Sequence, residues 1–227
     1  LGMGLAEVSP ALSFGLALDA EEEVISVEIV PSWVKVTRLT YQEAENCIEE
    51  EPLYSLYRLA QASEARRRSN GAVSIDLPEV KLRMKDGRVV IHPLLPLRSR
   101  ALVREAMLMT GEAVARFALE EGIPFPSATQ DAPDTDERPD DLAGMYALRR
   151  RLKPSQQSSS PGPHAGLGLE LYTRATSPLR RYLDLVVHQQ LRAYLHGEDV
   201  LEAQEILLRI GATEAVVGSV RRAEWQA

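Results

Sequence analysis

Residues 164–195 read HAGLGLELYTRATSPLRRYLDLVVHQQLRAYL, a glycine-rich approach followed by a helix start that carries two arginines. Thr176 or Ser177 can act as N-cap, and Pro178 then falls at the first helical position, where its missing N–H costs nothing. That spacing places Arg180 and Arg181 in the first turn. A helix N-terminus already carries free N–H groups and partial positive charge, so arginines there are disfavoured unless an anion faces them. Phosphate is the usual such anion. Arg180 and Asp184 are four apart, and Arg181 and Asp184 three apart. An ion pair can therefore hold one guanidinium while the other points forward. A solvated surface salt bridge is the plainer reading of the same residues.

The rest of the chain bounds what this stretch can serve. Its 227 residues suffice for a sizeable core, and 44% hydrophobic with 26% charged residues is ordinary for a globular protein. No apolar run approaches the length of a membrane helix, and no signal peptide is visible. The single cysteine, Cys47, excludes an internal disulfide framework and points to a reducing, cytoplasmic setting. A net charge of −7 argues against coating nucleic acid with the whole surface, but not against a local basic channel. Acidic residues gather at 21–23, 49–51 and 131–141, and arginines at 66–68, 149–151, 180–181 and 221–222. Starting at Leu1 and ending at Ala227 within a helical pattern, the chain is expected to be a piece of something longer.

Patterning predicts an α+β fold, with mixed or antiparallel sheet packed against helices. Leu12 to Leu18 and Val24 to Val36 read as a β-hairpin with an acidic turn. Thr40-Tyr41-Gln42-Glu43 matches a capping box, so a helix should run from there to about Glu49, with Tyr41 near the surface. An amphipathic helix is expected from Leu53 to Arg68, stopped by Asn70-Gly71. Short strands are expected at Val73–Ile75, Lys81–Lys85 and Val89–His92, the last two joined by Asp86-Gly87. A long helix from Leu97 to Glu121 carries an apolar stripe of Leu102, Ala106, Met109, Ala113 and Phe117, beside which Glu105 needs a partner. A short helix, Leu142 to Leu152, lies between a proline-rich acidic loop and the low-complexity stretch Pro154–Pro163. Beyond Leu179 three helices are expected, broken at Gly197 and Gly211, with Thr213 as a possible N-cap. The division is thus a mixed part, 1–96, and a mostly helical part, 97–227.

Conventional catalytic motifs are missing: there is no phosphate-binding glycine loop with its lysine, no G-x-G-x-x-G and no G-x-S-x-G. The four histidines lack zinc-ligand spacing. The residues alone therefore give an anion or nucleic-acid site. In it Tyr41 could stack on a base or touch a sugar, or simply pack.

Residues 164–191 resemble the signature of the ribonuclease II/ribonuclease R (RNB) family, H-F-G-L-G-L-x-x-Y-x-H-F-T-S-P-I-R-R-Y-x-D-L-x-V-H-R-x-L. His164, Gly166, Gly168, Tyr172, Thr176, Ser177, Pro178, Arg180, Arg181, Tyr182, Asp184 and His188 all match. Weaker similarity extends over ALSFGLALDAEEEVISVEIVPSWVKVTRLTYQEAEN, NGAVSIDLPEVKL, Arg104–Met109, GIPF and Arg221–Glu224. The resemblance implies the C-terminal portion of an RNB catalytic domain: a processive, Mg²⁺-dependent 3′→5′ exoribonuclease that hydrolyses single-stranded RNA to nucleoside 5′-monophosphates. It implies Arg180 as the catalytic contact to the scissile phosphate. Tyr41 and Glu105 fall at ribose-side positions, and Ser177, Arg181 and Tyr182 at further RNA contacts. Asp184, His164 and Glu224 are implied as supports.

The departures from the family pattern are specific. Its stacking aromatic falls at Ile75, its histidine after the long helix is replaced near Gln130, and Arg174-Ala175 stand where it has His-Phe. Its metal-binding aspartate cluster, D-x-x-x-x-x-D-x-D-D, has no counterpart. Asp134, Asp136, Asp140 and Asp141 are expected to be solvated, with no metal ligands in this chain and the Mg²⁺ ligands on an upstream portion of the same protein. The alternative expectation is a non-catalytic RNA-binding or structural module.

Overall fold

The first two strands form a ribbon whose inward face begins the core. The computed structural model describes residues 3–19, 23–135, 137 and 139–226, apart from the side chains of 221 and 224–226. Asp136 and the Glu224 side chain thus lie outside what is described. Strands β1 (Ser9–Leu18) and β2 (Val24–Val34) pair antiparallel, with Phe14 opposite Ile29 and Leu16 opposite Val27. Alternation puts Leu12, Phe14, Val27 and Ile29 on one side, where they meet Val114, Ala115, Ala118, Phe125, Val187 and Leu191. One cluster of side chains thus joins the N-terminal ribbon to helices much later in the chain.

Helix α1 (Tyr41–Asn46) has both halves of its capping box: Glu43 N–H donates to Thr40 Oγ1 at 3.2 Å, and Thr40 N–H to Glu43 Oε2 at 2.7 Å. It ends short of Glu49 because the chain turns to bury Ile48 against Ala60 and Leu102. Helix α2 (Leu53–Ser69) follows as the sequence suggests. Val73–Ile75 forms no strand among the described residues; Val73 N–H instead donates to the Gly166 carbonyl at 3.0 Å. Strands β3 (Val80–Lys85) and β4 (Arg88–Pro93) form the expected hairpin, with Asp86 at φ 51° and Gly87 at φ 72° in its two-residue turn.

Helix α3 (Arg98–Glu120) is the central element. Of its expected stripe, Leu102, Met109 and Ala113 are buried and Phe117 is half-buried, but Ala106 is exposed. Residues 111–115 are buried on every side, which only a helix surrounded by other elements shows.

Two expectations about the later chain are corrected. The stretch 154–163 is more than a connection: β6 (Gln156–Ser158) pairs antiparallel with β5 (Ser127–Thr129), giving its polar backbone partners a featureless composition does not reveal. Helix α4 (Leu142–Arg151) lies between them, and Asp141 Oδ1 accepts from Gly144 N–H at 2.9 Å. After α5 (Tyr182–His196), α6 (Ala203–Gln226) runs unbroken through Gly211. A helical glycine costs only about 1 kcal/mol, and Ile206 and Ile210, packed on Val186, hold the helix together across it. Thr213 is accordingly no N-cap; its hydroxyl donates back to the Arg209 carbonyl at 2.8 Å. Among the described residues, no helix is long and apolar enough to cross a membrane.

Candidate functional site

The glycine-rich approach folds as a short 3₁₀ turn, Ala165–Leu167, closed by His164 N–H donating to the Leu169 carbonyl at 2.8 Å. Gly168 ends it at φ +66°, and a Cβ there would lie 2.3 Å from the Arg67 carbonyl. Only glycine satisfies both the left-handed backbone and that close approach. Gln130 braces the turn from the other side: its Oε1 accepts from Gly166 N–H at 3.1 Å, and its Nε2 donates to the Lys153 carbonyl at 2.5 Å. Gly111 performs the same service for α3, since a Cβ on it would stand 2.4 Å from the Thr173 carbonyl.

Behind the turn lies a buried ionic cluster. Arg67 donates Nε and Nη2 to Glu105 at 3.0 and 2.6 Å, and Nη1 to the Leu167 carbonyl at 2.9 Å. Glu105 is 0% exposed and also receives Ser63 Oγ at 3.3 Å and Arg104 Nε at 3.1 Å. A carboxylate so enclosed needs these donors to offset lost hydration. It has no surface to offer a ribose; its two-point partner is Arg67, through which it steadies the signature turn. Two helical turns on, Glu112 takes Arg66 at 2.5 Å and Arg116 at 2.9 Å.

The arginine pair is arranged differently from the spacing expectation. Helix α5 begins at Tyr182, with Arg181 rather than Thr176 or Ser177 at its N-cap, at φ −123°. Residues 177–180 make their own turn, in which the N–H groups of Arg180 and Arg181 donate to the Ser177 carbonyl at 3.2 and 3.0 Å. The cause is Asp184, 1% exposed in the first turn of α5. Its Oδ2 accepts from Ser177 N–H at 2.9 Å and from Arg181 Nε and Nη2 at 3.0 and 2.7 Å. The acid complements the helix dipole and draws the preceding turn back over the helix end. Arg181, which also reaches Thr176 Oγ1 at 3.3 Å, is the held guanidinium. Arg180 is exposed and has no side-chain partner among the described residues.

The other expected residues are spread around this turn. His164 is buried, edge-on to the Tyr172 ring with centroids 5.9 Å apart, and its Nδ1 has no partner among the described residues. Burial, aided by the Arg174 charge, pushes its pKa down to about 4 and so keeps the ring neutral. Tyr182 is exposed and its hydroxyl accepts from Arg209 Nη1 at 2.8 Å. Tyr41 is 41% exposed at the first position of α1 and carries the Arg100 guanidinium 4.4 Å above its ring centroid. Its described contacts are to the start of α3, where its carbonyl accepts from Ser99 Oγ at 2.8 Å, not to the signature turn. The position of the missing aromatic, Ile75, is half-buried.

Two site-building residues escape sequence reasoning. Arg67 had a faint signature, the arginine run 66–68 facing Glu105 and Glu112 seven residues apart. Gln130 had none. No group of three or more His, Cys, Asp or Glu side chains among the described residues could hold a metal ion. Asp134 pairs with Lys153 at 3.0 Å and Asp141 caps α4, so the acidic loop is used locally. The described residues do not fit the Mg²⁺ implied by the resemblance.

A ribonuclease-type fold of helices and small antiparallel sheets is defined by this arrangement, and comparison with known proteins agrees. The RNB domain model matches residues 4–145 and 139–197, and the chain belongs to the RNB family. It is 41% identical over 219 residues to an uncharacterized ribonuclease of Synechocystis, covering 88% of this chain and 33% of that protein. It is 29% identical over 220 residues to the chloroplastic/mitochondrial ribonuclease II of Arabidopsis thaliana, covering 87% and 27%. The chain thus spans about a third or less of these relatives' length. Among solved structures, Mycoplasma genitalium RNase R in complex with ribose-methylated single-stranded RNA superposes with TM-score 0.76 at 17% identity, over 90% of this chain and 40% of that one. Yeast Ssd1, a pseudonuclease, superposes with TM-score 0.68 at 18% identity, over 91% and 31%.

Proposed function

We propose that this chain supplies the arginine wall of a 3′→5′ exoribonuclease site that hydrolyses single-stranded RNA processively to nucleoside 5′-monophosphates. The observation that carries this is the division of labour at 180–184: Asp184 binds Arg181 and the Ser177 N–H, which fixes the turn and leaves Arg180 exposed, with no side-chain partner among the described residues. A guanidinium held at such a turn can meet phosphate oxygens as charge grows on them in the transition state, without reorganising. Arg180 is therefore the catalytic residue. Ser177, Arg181 and Asp184 position it, and Arg67 with Glu105 holds the adjoining glycine turn. The exposed Tyr41 and Tyr182 rings are suited to RNA contacts, Tyr41 on the ribose side. The Mg²⁺ belongs to residues outside this chain, in the remaining N-terminal portion of the same protein, which works in the cytoplasm.

A test is Arg180→Ala in the complete protein. Turnover on end-labelled single-stranded RNA should fall by about 10²–10³-fold, as for loss of one transition-state donor, while RNA affinity is largely kept. Unchanged turnover would refute the assignment. A second reading, a non-catalytic RNA-binding module, draws on the occurrence of this fold in a pseudonuclease. It is favoured if the complete protein binds the RNA but leaves it intact with Mg²⁺ present.

A further inference from the structure

We infer that the β3–β4 hairpin is a separate RNA-binding element whose basic face takes the phosphate backbone of a single strand; this rests on the RNA reading above. Residues opposite one another in an antiparallel ribbon share a face. The register sets Lys81 against His92, Arg83 against Val90, and Lys85 against Arg88. Four cations and an imidazole therefore stand together on one side. The other side pairs Val80 with Pro93, Leu82 with Ile91, and Met84 with Val89, and carries no charge.

Lys81, Arg83, Lys85 and Arg88 are all exposed, and none has a side-chain partner among the described residues. By contrast, Arg66, Arg67, Arg98, Arg151 and Arg181 each hold a carboxylate. The nearby acids, Glu79 before β3 and Asp86 at the tip, lie at the two ends of the basic face, not within it. In a chain of net charge −7, such a face concentrates positive potential locally.

The occupant follows from charge and spacing. Same-face residues of a strand recur about every 7 Å, so Lys81, Arg83 and Lys85 form one row along β3, with Arg88 and His92 beside it on β4, suited to the repeating phosphates of an extended chain. Apart from the His92 imidazole, the face carries no aromatic or amide side chain to read bases. The hairpin therefore contributes affinity without sequence or sugar preference.

The test compares the complete protein with a K81Q/R83Q/K85Q/R88Q variant, by titrating a labelled single-stranded oligoribonucleotide and its deoxy counterpart from 50 to 200 mM salt. At about 0.7 in log–log slope per phosphate contact on a single strand, four lost contacts lower the slope by about 3. The parent's affinity advantage at the low-salt end then shrinks by about 50-fold across that range, equally for RNA and DNA. An L82S/I91S variant, altering only the apolar face, should keep the parent slope. Equal slopes for parent and four-fold variant overturn the hairpin assignment alone, as does an equal slope loss from L82S/I91S. A parent that binds neither oligonucleotide overturns the RNA reading itself.

Discussion

Arg67 and Glu105 meet in a two-point ion pair, Nε–Oε2 3.0 Å and Nη2–Oε1 2.6 Å, with both side chains almost wholly out of solvent. The third Arg67 donor goes to the Leu167 carbonyl, so the pair couples α2 and α3 to the signature turn. Removing one partner strands a buried charge, whereas removing both does not.

Glu105→Ala should therefore cost about 3–5 kcal/mol of folding stability, read from denaturant midpoints at constant m-value. The double variant Arg67→Met/Glu105→Leu should recover a large part of that loss. A double variant as unstable as the single one would show that the pair's net contribution is favourable in itself.

Asp184 accepts three donors on one oxygen, and its loss frees both Arg181 and the 177–180 turn. Asp184→Ala should destabilise by about 1–3 kcal/mol and lower kcat on single-stranded RNA with less change in KM. Full kcat with reduced stability would confine Asp184 to a structural role.

His164 gives a pH signature. Its pKa of about 4 lies below the usual 6.5, first because of burial and then the Arg174 charge. Above pH 6.5 both folded and unfolded chains hold it neutral. As the pH falls from 6.5 toward 4 the unfolded chain takes up a proton that the folded one refuses, so stability declines through that window. His164→Gln should flatten this part of the stability profile relative to the parent; an unchanged slope would rule out His164 as its source.

Tyr41 offers an exposed ring stacked by Arg100. Tyr41→Ala should narrow the difference in affinity between RNA and DNA oligonucleotides of one sequence, as expected for loss of a contact on the ribose side. An unaltered RNA/DNA ratio would leave the ring a packing role at the α1–α3 junction.

The sequence by itself determined the local grammar of this chain. Thr40 and Glu43 built the capping box they spell, Asp86-Gly87 turned the hairpin, and the 164–191 signature disclosed the family. Each depends on interactions between near neighbours. The tertiary structure decided what distant partners impose. Asp184, by taking the Ser177 N–H seven residues back, moved the start of α5 from Pro178 to Tyr182 and separated the held arginine from the free one. Arg67, 38 residues from Glu105 and 100 from Leu167, withdrew the glutamate from the surface. Ile206 and Ile210, packed on Val186, carried α6 across a glycine that local propensity would take as a break. In each case burial made a hydrogen bond or apolar contact beyond the reach of a single helical turn outweigh a local preference worth about 1 kcal/mol.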